Sequence, residues 1–173
     1  MSESNEKYEK MFRFFVNNNC EKVIRFISLF VPDRLSCEEL ASDVFMSIWL
    51  NREKLPDLNV INNYMLTVAR NKALNYLRDE KQETLDLDTC TIDIFRYTET
   101  TPESIYISKE TVVELNKAIN ELPHRTKLAF TLVREQKKSY KEAAEILSVS
   151  VKTVEKQVAV AVEKLKEKLR RKK

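Results

Sequence analysis

The sequence predicts an all-α protein: two small helical domains joined by an acidic linker, the C-terminal one containing a helix-turn-helix. Three observations carry this expectation. The 173 residues include no glycine, against a usual share of about 7%, which disfavours hairpins with primed turns and glycine-rich phosphate loops. Apolar residues recur at three- and four-residue spacing through most of the chain, the period of an amphipathic helix. Around residues 81–108 that stripe lapses and Thr, Asp and Glu take over, the composition of a tether. The expected boundaries are 1–80, 81–108 and 109–173.

The first helical stretch runs from Lys7 to Val31, with Met11, Phe12, Phe15, Val16, Val23, Ile24, Ile27 and Phe30 at helical intervals and Pro32 as its stop. Asn17, Asn18 and Asn19 compete with helical hydrogen bonding, so two helices and one kinked helix both fit. A second helix follows Ser36, with Leu40, Val44, Phe45, Ile48 and Trp49 as its stripe and Ser36 with Glu39 in the spacing of a capping box. Its polar edge carries Glu38, Glu39, Ser42, Asp43 and Ser47. Such an edge serves equally as a solvated face or a protein-binding one.

Pro56 and Asp57 open an expected loop through Asn63, after which Met65, Val68, Ala69, Ala73, Leu74 and Leu77 mark a third helix. Its other face is rich in cations and amides: Arg70, Asn71, Lys72, Asn75 and Arg78, preceded by Asn59, Asn62, Asn63 and Tyr64. Cations track a phosphate backbone, amides read base edges, and a ring stacks on an unpaired base. Tyr64 and Tyr76 suit a core position as well.

In the linker, Ile92, Ile94, Phe95, Ile105 and Ile107 are too apolar for a wholly free tether, so part of it is expected to dock. Beyond it, Val112, Val113, Leu115, Ala118, Ile119 and Leu122 describe one helix, closed by Pro123. His124, the one histidine, stands where a helix begins, and Leu128, Ala129, Phe130, Leu132 and Val133 continue from it. Ser139 with Glu142 forms a capping box ahead of Ala143, Ala144, Ile146 and Leu147. After Ser148-Val149-Ser150, with Ser150 as N-cap, the residues Val151, Val154, Val158, Ala161, Leu165 and Leu169 stripe a longer helix whose open side holds Lys152, Glu155, Lys156 and Lys164. Two helices around so short a turn make a helix-turn-helix or a plain helical hairpin. Ser150, Lys152, Thr153 and Lys156 supply the short polar and cationic groups that a major-groove helix presents at its N-terminal end.

Charge is divided along the chain. Residues 1–79 hold 11 Lys/Arg and 11 Asp/Glu, residues 80–108 hold 2 and 7, and residues 109–173 hold 17 and 9, for a net +3. A basic C-terminal third is the footprint of a polyanion-binding domain. Cys20, Cys37 and Cys90 are odd in number and widely spaced, which indicates neither a disulfide framework nor a zinc site. Neither a secretory leader nor a run of ~18 apolar residues is evident, so a cytoplasmic protein without membrane insertion is expected. With no metal-ligand cluster, phosphate loop or nucleophile beside a base, no cofactor, metal or catalytic residue is expected, and the chain reads as a non-enzyme.

Taken together, ASDVFMSIW in the second helix, NNYMLTVARNKALNYLR in the third, ELPHRTKLAF and SYKEAAEILSVSVKTVEKQVAVAVEKL resemble the extracytoplasmic-function sigma factors, the small initiation subunits of bacterial RNA polymerase, over nearly the whole chain. The resemblance implies a first domain that grips the polymerase clamp helices through Glu39, Ser42 and Asp43 and captures melted minus-10 DNA, with Arg70 and Asn71 matching the ArgAsn pair of the melting helix. It implies a second domain that reads minus-35 duplex through Ser150, Lys152, Thr153, Glu155 and Lys156, and an acidic linker that threads the polymerase channel. Expected partners are RNA polymerase core, promoter DNA and a membrane-anchored anti-sigma factor. Ser42 stands where the family commonly has glutamine, and Ser148 where it has the turn glycine. The competing reading is a stand-alone helix-turn-helix regulator that binds operator DNA by itself.

Overall fold

The computed structural model describes residues 3–54, 58–80 and 109–170. All regular structure among them is helical, in two compact units, Met1–Leu85 and Asp86–Lys173. The linker and Cys90 lie outside the described residues, as does any docking by the linker's apolar side chains.

The first unit is a three-helix assembly of α1 (Glu3–Ile27), α2 (Arg34–Leu50) and α3 (Leu58–Glu80). Each of the three packs on the other two. α1 is one helix. Its asparagines do not divide it, because Asn19 turns its amide back to donate to the Phe15 carbonyl at 2.8 Å, a bond made within the helix. The C-terminal half of α1 and the turn after it form the deepest core: Val23, Phe26, Ile27, Leu29, Phe30 and Val31 are at most 2% exposed. The N-terminal half makes an aromatic seam with α2. Phe12 lies 5.0 Å from Trp49, Tyr8 lies 6.0 Å from it, and Phe15 meets Phe45 edge-on at 6.3 Å. Across the core, α3 contributes Met65, Leu66, Ala69, Ala73 and Leu77. Its two alanines let the helix axes approach closely, and each large side chain so buried is worth ~1.5–3 kcal/mol.

Two boundaries depart from the sequence reading. The N-cap of α2 is Asp33, not Ser36: the Asp33 carboxylate accepts from the Ser36 backbone N–H at 2.7 Å and from its hydroxyl at 2.7 Å. Asp33 follows the Pro32 stop directly and can meet the N3 amide as a charged acceptor, which makes Ser36 the third residue of the helix and dissolves the expected Ser36–Glu39 box. The residues from Leu58 to Asn63, expected as a loop, are the opening turns of α3. No proline or glycine stands between Asp57 and Glu80, and Leu58 and Ile61 continue the spacing of Met65 backwards, so the stripe outlasts the asparagines.

The second unit arranges α4 (Lys109–Asn120), α5 (His124–Phe130) and α6 (Tyr140–Leu147) around α7 (Val151–Arg170). Ile119, Leu132, Ala143, Ile146, Val154 and Ala161 are fully buried. α5 starts at His124 behind Pro123 and widens into a π-helical turn, Thr131–Glu135, whose end is marked by the Gln136 N–H donating to the Thr131 carbonyl at 3.0 Å. The Thr126 hydroxyl donates to Gln157 Oε1 at 2.5 Å, tying α5 to α7, and Glu121 pairs with Lys168. Several striped residues stay outside both cores: Met11, Leu74, Val151 and Leu169 are 57%, 38%, 39% and 41% exposed.

The helix-turn-helix has both expected caps. Ser139 accepts from the Glu142 N–H at 3.2 Å while the Glu142 carboxylate accepts from the Ser139 N–H at 2.9 Å. α6 then ends with Ser148 in the left-handed region, φ 55° and ψ 45°. The Ser148 N–H donates to Glu145 O and the Val149 N–H to Ala144 O, a Schellman ending that normally selects glycine.

Candidate nucleic-acid interface

The outward face of α2 is mixed in character. Leu35, Met46 and Leu50 are 71%, 58% and 72% exposed, and Glu39, Ser42 and Asp43 are exposed between them on the same side of the helix. The Ser42 hydroxyl is turned inward, donating to the Glu38 carbonyl at 3.0 Å. Asp43 pairs with Lys72 of α3 at 3.5 Å. A groove between the two helices is lined by Ser36, Glu39, Leu40, Ser42, Asp43 and Tyr76, and the Ser36 and Tyr76 hydroxyls meet across it at 3.0 Å. Carboxylates flanked by apolar side chains repel phosphate and suit a protein surface carrying cations.

α3 divides its polar residues. Tyr64, Asn71, Asn75 and Arg78 fall on the face opposite the buried Leu66–Ala69–Ala73–Leu77 stripe, with Asn71, Asn75 and Arg78 exposed and Tyr64 half-buried. Asn63 and Arg70 flank that face on one side, and the Arg70 guanidinium donates to Asn71 Oδ1 at 3.1 Å, which holds the two as a unit. Arg78 donates to its neighbour Asp79 at 3.3 Å. Two expected residues lie apart. Asn62 shares the register of Leu66 and Ala69, and Lys72 lies toward α2 against Asp43. Asn59 is in the first turn of α3, and its side chain is outside the described residues.

On α7 the structure brings all five expected residues to one end. Val151, Lys152, Thr153, Glu155, Lys156 and Ala159 are exposed there, while Val154 and Val158 are buried behind them. Ser150 and Thr153 are already engaged: the Thr153 N–H donates to Ser150 Oγ at 3.1 Å and the two hydroxyls meet at 2.7 Å. They set the helix start, whose free N–H groups and dipole favour an anion. Lys152, Glu155 and Lys156 have no ion-pair partner among the described residues.

Two further residues border this surface. Arg134 and Tyr140 line a groove with Glu155, Ala159, Glu163 and Lys166. The signal for Tyr140 was available, since the Ser139 cap makes it the first residue of α6; Arg134 is brought in by the π turn, which periodicity does not announce. Lys138 belongs elsewhere. Burial lowers its ammonium pKa against a smaller raising effect of Glu142, which stands 4.0 Å away, and its side chain is only 10% exposed. In the first unit, burial raises the Cys20 thiol, and Cys37 donates to the Val31 carbonyl at 3.2 Å. Neither is poised as a nucleophile.

Comparison with known proteins gives matches in the order of the two units. The family model described as Sigma-70 region 2 matches residues 15–83, and that described as Sigma-70, region 4 matches residues 113–165. The chain is 25% identical over 142 residues to the ECF RNA polymerase sigma factor SigM of Bacillus subtilis (strain 168), covering 82% of each. It is 26% identical to RNA polymerase sigma factor SigZ of the same organism, over 82% of this chain and 77% of that one. Among solved structures it is similar in fold to the sigma factor RpoE in complex with the anti-sigma factor NepR from Bartonella quintana, with TM-score 0.65 and 18% identity over 93% of this chain and 98% of that one. It is also similar to CnrH in complex with the cytosolic domain of CnrY, with TM-score 0.59 and 17% identity over 95% and 91%.

Proposed function

Since this chain belongs to the sigma-70 family, in its extracytoplasmic-function branch, we propose that it recruits bacterial RNA polymerase core to particular promoters, using three helical faces in turn. The outward face of α2 grips the polymerase clamp helices: Glu39 and Asp43 meet cations there, while Leu35, Met46 and Leu50 bury against apolar surface. The outer face of α3 holds melted minus-10 DNA, with Tyr64 stacking, Asn71 and Asn75 reading base edges, and Arg70 and Arg78 on phosphates. The N-terminal turns of α7 enter the major groove of minus-35 duplex, with Lys152 and Lys156 as its cations. The protein supplies recognition and the polymerase supplies the chemistry, so no cofactor is needed and its place of work is the cytoplasm, where no membrane helix is required; no described helix is long and apolar enough to cross one. One fold relative is seen in complex with the anti-sigma factor NepR and another with the cytosolic domain of CnrY, and an anti-sigma factor that covers the α2 or α3 face fits this protein too.

The observation that carries this reading is the segregation of charge: an acidic and apolar face on α2, and exposed cationic and amide faces on α3 and α7. A stand-alone regulator has no use for the first of these. The test is competition for core polymerase against a labelled housekeeping sigma subunit. Binding is expected, and Asp43→Lys is expected to weaken it tenfold or more while the fold is retained. Unchanged affinity removes the clamp assignment, and tight operator binding by the free chain without core affinity favours the regulator instead.

A further inference from the structure

Among the described residues, one ion pair joins the acidic face of α2 to the cationic helix α3. Asp43 Oδ2 and Lys72 Nζ stand 3.5 Å apart, and neither has another charged partner among those residues. The Asp43 side chain is 66% exposed and that of Lys72 29% exposed. The carboxylate is therefore open to an approaching cation, while the ammonium is partly covered. A second cation brought to the same carboxylate stands close to Lys72, and like charges repel. Lys72 directly follows Asn71 and lies one helical turn before Asn75. Drawn toward α2 it is neutralised, and its flexible four-carbon stem lets it reach the Asn71–Asn75 edge once the carboxylate is taken.

Resting on the clamp and minus-10 readings of α2 and α3 given above, we propose that the Asp43–Lys72 pair is an exchange contact. A cation of the clamp takes the Asp43 carboxylate, Lys72 leaves it, and the freed ammonium binds a phosphate of the melted strand beside Asn71 and Asn75. The free chain thus holds one of its DNA-binding cations in reserve, and joining core polymerase completes the α3 face. The effect is reciprocal, as linkage requires: DNA that draws Lys72 away leaves Asp43 unpaired for the clamp. An exposed pair of this kind sets a small coupling, ~1.5- to 5-fold in either affinity.

The test measures binding of the full chain, free and assembled with core, to a short fluorescent single-stranded DNA of mixed sequence over a range of salt. In the free chain, Asp43→Asn is expected to tighten binding ~1.5- to 5-fold. It is also expected to steepen the slope of log affinity against log salt by ~0.7, the share of one phosphate on a single strand. Lys72→Gln is expected to abolish that gain when combined with Asp43→Asn, and to remove ~0.7 of slope from the assembly with core. Without DNA, Lys72→Gln is expected to tighten core binding ~1.5- to 5-fold, since Asp43 then has no internal partner to give up. A gain from Asp43→Asn that survives Lys72→Gln shows that the carboxylate acts only by repelling phosphate, and weaker core binding on Lys72→Gln shows that the pair only braces α2 on α3; either overturns the exchange. Failure of the unsubstituted chain to join core refutes the initiation function and the exchange with it. Joining core with the salt slope unmoved by Lys72→Gln refutes the exchange alone.

Discussion

Ser148 provides the sharpest test of the reasoning, because the structure places a side chain where the backbone favours none. Its φ of 55° costs an L-residue with a Cβ ~1–2 kcal/mol relative to glycine. Replacing alanine by glycine also frees the unfolded chain, which takes back ~0.4–1 kcal/mol. The comparison of Ser148→Gly with Ser148→Ala isolates these two terms, since both lose the hydroxyl. Glycine is expected to be the more stable by ~1 kcal/mol, a difference of roughly 4–8 °C in Tm for a unit of this size. At the exposed helical position Ala159 the order reverses, and Ala159→Gly is expected to cost ~1 kcal/mol. Thermal unfolding followed by far-UV circular dichroism reads both. The single tryptophan, Trp49, belongs to the first unit, so its fluorescence supplies an internal reference for the other core. If Ser148→Ala proves as stable as Ser148→Gly, the left-handed turn is not strained and the account of how α6 is joined to α7 fails.

Other consequences are measurable with similar means. The Asp33 carboxyl is held below its ordinary pKa, chiefly by the Ser36 backbone N–H and then by the Ser36 hydroxyl. Its capping contribution is therefore present above the unfolded-state pKa and lost as pH falls through the lower folded-state value, so Asp33→Ala is expected to lower Tm at neutral pH and to match the unsubstituted chain in strong acid. Phe26 is fully buried and stacks edge-on against Phe30 at 5.7 Å; Phe26→Ala is expected to cost ~3–5 kcal/mol, read as a loss of the Trp49 fluorescence transition at lower denaturant. For holoenzyme bound to minus-35 duplex, Lys152→Ala and Lys156→Ala are each expected to reduce the slope of log affinity against log salt by ~1. An unchanged slope would mean that the ammonium group does not meet a phosphate.

Much of this protein was legible in its sequence, because helical burial is a local code. The stripe Val154, Val158, Ala161 and Leu165 marks the core side of α7, and it is the side found buried. Ser139, Glu142 and Ser150 lie within three residues of the amides they satisfy, so their spacing alone announced both caps of the helix-turn-helix. The motifs that placed the chain among sigma factors are local runs of the same kind. Rival local signals decided the misread boundaries: Ser36 has the right spacing for a cap, but Asp33 is charged, stands beside the proline stop and reaches the same turn first.

What only the tertiary structure decided depends on which side of a helix finds a neighbour. Leu35, Met46 and Leu50 are as apolar as the residues beside them, yet no described helix covers them, and they join Glu39 and Asp43 in one exposed face. Asn62 and Lys72 share a helix with Asn71 and Asn75, yet the packing of α3 turns one toward the core register and ties the other to Asp43. Arg134 reaches the α7 surface through a π turn that no periodicity encodes. A sequence sets the spacing of polar and apolar groups along each helix, and burial is settled only when the helices close on one another and leave some faces to water.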